Sequence, residues 1–179
     1  MNIETIRSAI MGILSGNPKD EPMHYGEVYG TWSHLSVNHG LIAAYQTFIN
    51  HIGDEDLKKL VQEAIEAMQE ENKQVEELLK TNGIGLPPAP PERPVAHLED
   101  IPPGARFSDP EIAAAVSKDV AEGLVAASTM IGQSIREDIA VMYGQFHMAK
   151  AQFGAKMLKL NKTKGWLIPP PLQVKSTES

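Results

Sequence analysis

The chain has 179 residues, 42% of them hydrophobic and 22% charged, enough for one well-buried core and too few for several. Its formal net charge of -7 and pI of about 5.3 exclude the basic stripe by which nucleic-acid binders meet phosphates, and they disfavour anionic membranes for the same reason. The absence of cysteine removes disulfides, thiolate metal sites and cysteine nucleophiles, and fits a reducing compartment. No apolar run approaches the roughly 18 to 20 residues that span a bilayer, and the N-terminus has no basic start followed by an apolar stretch and a cleavage site. Cytoplasmic synthesis without membrane insertion is the expectation.

Ile3, Ile6, Ile10, Ile13 and Leu14 recur at helical spacing before the breaker Ser15-Gly16-Asn17-Pro18, which predicts a short amphipathic N-terminal helix. From about Glu27 to Ile52, Trp32, Leu35, Ile42 and Ile49 form one stripe and Leu41, Tyr45, Phe48 and Ile52 the adjoining one, a surface wide enough for a core helix. Gly53 ends it. Asp54-Glu55-Asp56 then supplies negative charge to the free amides of a second helix, so a tight antiparallel turn is expected. That helix carries Leu57, Val61, Ala64, Met68, Val75 and Leu78 in a heptad-like seam, with Glu63, Glu66, Glu70 and Glu77 outside, and stops at Asn82-Gly83.

Residues 83–107 contain seven of the thirteen prolines and must be an extended connector. At about 3.1 Å per residue such a segment outreaches the roughly 40 Å length of a 26-residue helix, so it can cross a bundle end to end. A third helix opens at Ser108-Asp109-Pro110-Glu111 and presents Ile112, Val116, Val120, Leu124, Ala127 and Ile131. Ser134 and Glu137 have the spacing of a capping box for a fourth, running through Ile139, Met142, Phe146, Phe153, Met157 and Leu160 to Lys164-Gly165. The tail from Pro169 turns polar, and its last residues are expected to be mobile.

Sliding the chain by 82 residues superposes Glu55-Asp56 on Glu137-Asp138, Lys80-Thr81-Asn82-Gly83 on Lys162-Thr163-Lys164-Gly165, and Leu86-Pro87-Pro88 on Ile168-Pro169-Pro170. Caps and breakers recur in any helical protein, but one offset shared by helix starts and stops points to duplication. The reading is all-α: a ferritin-like four-helix bundle, one domain over residues 1–179, made of two αα-hairpin repeats (about 27–88 and 109–170) joined by the Pro-rich crossover.

A two-metal carboxylate centre would need a Glu on each of two helices and Glu-x-x-His on the other two. The single Glu-x-x-His, Glu21 to His24, lies beside Pro22 and Gly26 and reads as accidental. The acidic pair Glu27 and Asp109, at the repeat offset, is explained by the helix dipole. His39 and Glu71 share apolar faces and could form a buried pair. A satisfied polar contact that fixes register explains them better than metal ligation, so no metal and no cofactor is expected, with iron or manganese at His39 and Glu71 as the alternative. Signatures of nucleophile elbows, phosphate loops and zinc proteases are missing, and no catalytic residue is assigned. Trp166 can cap the core or anchor a partner, capping being the simpler role. The Glu-rich second helix and the Lys-rich fourth could also meet between subunits.

Trp32, the stretch Ser134-Ile135-Arg136-Glu137-Asp138-Ile139 and the ending Lys164-Gly165-Trp166-Leu167-Ile168-Pro169-Pro170-Pro171 give the chain a further likeness. It resembles the coat F-like proteins of spore-forming bacilli, in their duplicated branch, from about Tyr25 to Val174. The resemblance implies a ferritin-like bundle, a place in or beside the spore coat, coat proteins or copies of itself as partners, and no catalytic residues to carry over. Against this structural role stand a metal-binding or redox bundle and a small-molecule binder that uses the bundle interior.

Overall fold

The computed structural model describes residues 21–173; the helix expected over 3–14 and the final polar residues lie outside them. Four long helices account for most of the described chain: α1 (Tyr25–His51), α2 (Glu55–Thr81), α3 (Asp109–Gln133) and α4 (Glu137–Lys164). Two single 3-10 turns, Leu98–Asp100 and Pro103–Ala105, punctuate the crossover, and no strand occurs among the described residues. None of these helices is long and apolar enough to cross a membrane. Helices pack most closely within the hairpins α1–α2 and α3–α4, and the hairpins face each other more loosely.

The helix limits follow from local chemistry at most ends. Asp54 caps α2 by accepting from the amides of Asp56 and Leu57, both at 3.0 Å. Glu111 reaches back to the amide of Ser108 at the start of α3. His24, the accidental end of the Glu-x-x-His, is the N-cap of α1: Nδ1 accepts from the Gly26 amide at 2.9 Å, and Glu27 accepts from the His24 amide. Gly83 and Gly165, 82 residues apart, both turn left-handed (φ 72° and 73°), where a side chain would be strained. After each, the next amide donates five residues back, Ile84 to Leu79 and Trp166 to Asn161, both at 2.9 Å.

One expected cap is corrected. Ser134 closes α3 rather than opening α4, its hydroxyl donating to the Met130 carbonyl at 2.6 Å, and Arg136 is the N-cap of α4. The amides of Ile135 and Arg136 instead donate to Glu27 Oε1 on α1, both at 2.9 Å, so a tertiary contact replaces the local box. Asp109, the repeat partner of Glu27, does the same at the other turn, accepting from the Gly53 amide at 2.9 Å. Each hairpin therefore caps the other's turn, a role beyond the helix-dipole explanation.

The crossover runs along α1. Trp32 Nε1 donates to the Gly85 carbonyl, Gln46 Oε1 accepts from Arg93, Asn50 bonds Pro94 and Ala96, and His51 Nδ1 accepts from the Phe107 amide. Side chains of one helix thus supply partners that a mostly extended strap cannot supply for itself. Two apolar clusters fill the bundle. One holds Leu57, Val61, Ile112, Val116 and Met157 with partly buried Trp166 at its edge; the other holds Leu35, Val75, Leu79, Ile139 and Tyr143.

Candidate functional site

A polar layer lies in the middle of the bundle. Glu71 on α2, only 6% exposed, accepts from Asn38 Nδ2 at 3.2 Å and lies 3.3 Å from His34 Nε2, while Lys150 on α4 pairs with its other oxygen. Asn38 also donates to Asn72 Oδ1 at 3.0 Å, which uses both of its amide hydrogens. His34 Nε2 is therefore left to donate to Glu71. Phe146 stacks on the His34 ring at 5.6 Å and Tyr143 meets it edge-on at 5.3 Å, so the imidazole is fixed in plane and position. Burial pushes the Glu71 carboxyl up, but the His34 hydrogen bond and the Lys150 charge outweigh it and hold the group below its ordinary range.

The structure pairs Glu71 with His34 and not with His39. Five residues separate the two histidines, which turns them about 140° apart around α1, and the antiparallel register presents the earlier one to Glu71. His39 Nε2 instead lies 4.0 Å from Glu76, and its Nδ1 is buried without a partner. Trp166 packs against the larger cluster just past the end of α4, in the position that Ile84 takes at the other end. Three of the five lysines of α4 pair within their own chain: Lys150, Lys156 and Lys164 meet Glu71, Glu63 and Asp54 of α2 and its cap.

Ferritin-like bundles can hold metal in such a layer, but these residues do not fit one. A divalent cation needs converging lone pairs, and here the single buried carboxyl already faces an ammonium and an imidazole N–H. Among the described residues no group of three or more His, Asp or Glu converges. Around the layer lies a cavity of about 760 Å³, walled by all four helices, with Val37, Leu41, Ala67, Val120 and Phe153 among its apolar surfaces. Lys150 entered the sequence reading only as one of the lysines of the fourth helix, and Tyr143 escaped it. The repeat offset carried the signal, since they fall on the core positions Met68 and Val61 of the second helix and must point inward.

The fold and its interior define a ferritin-like four-helix bundle whose central layer is polar and closed by an ion pair. Residues 11–178 match the model of the family described as protein of unknown function DUF3231, and the chain belongs to that family. It is 62% identical over 164 residues to the uncharacterized protein YvdQ of Bacillus subtilis strain 168, covering 92% of this chain and 96% of that one. It is also similar to the crystal structure of "a putative spore coat protein" from Bacillus halodurans C-125, with 70% identity and a TM-score of 0.88 over 89% of this chain and all of that one. A two-domain protein of Anabaena variabilis with a ferritin-like domain shares the fold alone, at 14% identity and a TM-score of 0.61 over 86% of this chain and 41% of that one.

Proposed function

We propose that the protein is a structural component of the spore coat or its assembly, related to the coat F-like proteins and acting by association, not catalysis. The observation that carries this reading is the 70% identity to the Bacillus halodurans protein over 89% of the chain. The surface is compatible with it. Beyond Trp166 the chain presents Ile168 at 91% and Leu172 at 76% exposure around Pro169-Pro170-Pro171, an extended apolar segment suited to contact with a neighbouring coat protein or a second copy.

Immunoblotting of a sporulating host that carries the gene, with vegetative cytosol, spore core and detergent-extracted coat as fractions, tests the proposal. Enrichment in the coat extract is expected. Confinement to vegetative cytosol would overturn it, and so would purified protein holding stoichiometric iron or manganese that Glu71→Gln removes.

A further inference from the structure

Helix α4 is apolar on two sides. Its inner side enters the core, but a second stripe, Val141, Gly144, Met148, Ala151, Ala155 and Leu158, recurs at alternating steps of three and four residues on the outer side. There Val141, Met148 and Leu158 are 60%, 62% and 46% exposed. The spacing is that of a coiled-coil seam, and an exposed apolar seam marks a contact surface. The internal repeat supplies the comparison. The same positions of α2, 82 residues earlier, are Lys59, Gln62, Glu66, Gln69, Lys73 and Glu76, a polar and solvated stripe. One hairpin architecture therefore carries a wet face in the first copy and a dry one in the second, so folding of the single chain does not demand the apolar side chains.

We propose that this face joins two copies of the chain, α4 lying antiparallel against α4 of the second copy about a two-fold axis between Ala149 and Lys150. In that register Met148 falls opposite Ala151 and Gly144 opposite Ala155, large against small, while Val141 meets Leu158, and each pairing occurs twice. Charge selects the same arrangement. Glu137 and Lys162 continue the stripe at its two ends in the same spacing, and antiparallel pairing sets each against the other, whereas a parallel pair would set Glu137 against Glu137. The net charge of -7 repels a second copy in general, but α4 has no Asp, Glu, Lys or Arg from Ile139 to Ala149. The area suffices as well. From Glu137 to Lys162 the seam is about 39 Å long, and at a helix width of about 10 Å it covers on the order of 400 Å². Exposed Ile131 and Ile135 at its turn end extend it towards the roughly 800 Å² per partner of a stable interface. The pairing goes beyond the coat reading and does not rest on it, because it is a property of the purified chain.

Sedimentation equilibrium of the full chain at micromolar concentration is expected to give twice its mass of 19.6 kDa. Met148→Glu should weaken association by more than about 100-fold, because it buries two carboxylates near the centre of the seam. Since Met148 is exposed in the single chain, the variant should keep the parent's far-UV circular dichroism. Glu66→Lys, at the equivalent position of α2, should leave the mass doubled. The chain has no cysteine of its own, so the register can be read by cross-linking. Val141→Cys mixed with Leu158→Cys should form an intermolecular disulfide on oxidation, and neither variant should do so alone. A single-chain mass at every concentration, or a doubled mass retained in Met148→Glu, would overturn the proposal. Cross-linking of Val141→Cys with itself would overturn the antiparallel register.

Discussion

At the end of the bundle where α1 begins, Glu27 is fully buried and accepts from Ile135 and Arg136, and Arg136 in turn holds Asn82 at 2.8 Å and Asp138 at 2.7 Å. At the opposite end Asp109 takes one bond from Gly53 at the surface, and Asp54 pairs with Lys164 at 2.6 Å. Glu27 and Asp109, Arg136 and Asp54, Asn82 and Lys164 are each 82 positions apart, so the two ends tie the same places together with different chemistry. The shared offset marks where a contact falls. Solvent access decides how much the fold depends on it, because an amide left without its acceptor is rehydrated at the surface and stranded inside.

The largest test of this contrast is Glu27→Ala, which should cost about 3 kcal/mol by urea unfolding, against about 1 kcal/mol for Asp109→Ala. Equal losses would break the comparison. Next comes the ion-pair ladder between α2 and α4. Lys150→Met leaves Glu71 buried without its ammonium partner and should cost about 2 to 3 kcal/mol, whereas Lys156→Met, half exposed, should cost under about 1. Glu71 also sharpens the pH dependence. Its folded pKa is depressed, so its stabilisation is present above the unfolded value of about 4.3 and is lost as pH falls through the folded one. The acid limb of stability below about pH 4 should therefore be shallower in Glu71→Gln. The smallest effect is the most symmetric: Gly83→Ala and Gly165→Ala, at nearly the same positive φ with open space around each, should each cost about 1 kcal/mol, visible as matched shifts in melting temperature.

Much of the fold was legible in the residues themselves. The four helices, the Gly stops after α2 and α4 and the crossover were carried by apolar periodicity, left-handed turns and prolines, all of which act within a few residues; Gly53 was not such a stop, since α1 ends on Ile52 in extended backbone. The site was legible only in part. Glu71 declared itself by sitting in an apolar seam, but its partner did not, because His34 and His39 both lie near the apolar stripe and only helix register chooses between them. The charge contrast between α2 and α4 was visible too, yet composition cannot say which charges meet; the structure pairs Lys150, Lys156 and Lys164 with Glu71, Glu63 and Asp54 within the chain.

The sequence by itself determined the all-helical class, the hairpin pairing and the 82-residue repeat, since helix propensity, caps and breakers are short-range properties of the chain. Only the tertiary structure decided that Glu27 caps a turn more than 100 residues away, that His34 and Lys150 close on Glu71, and that the Tyr143 hydroxyl is buried without a partner. These contacts join residues on different helices, so they depend on register and on the gap between two hairpins, which no local pattern encodes.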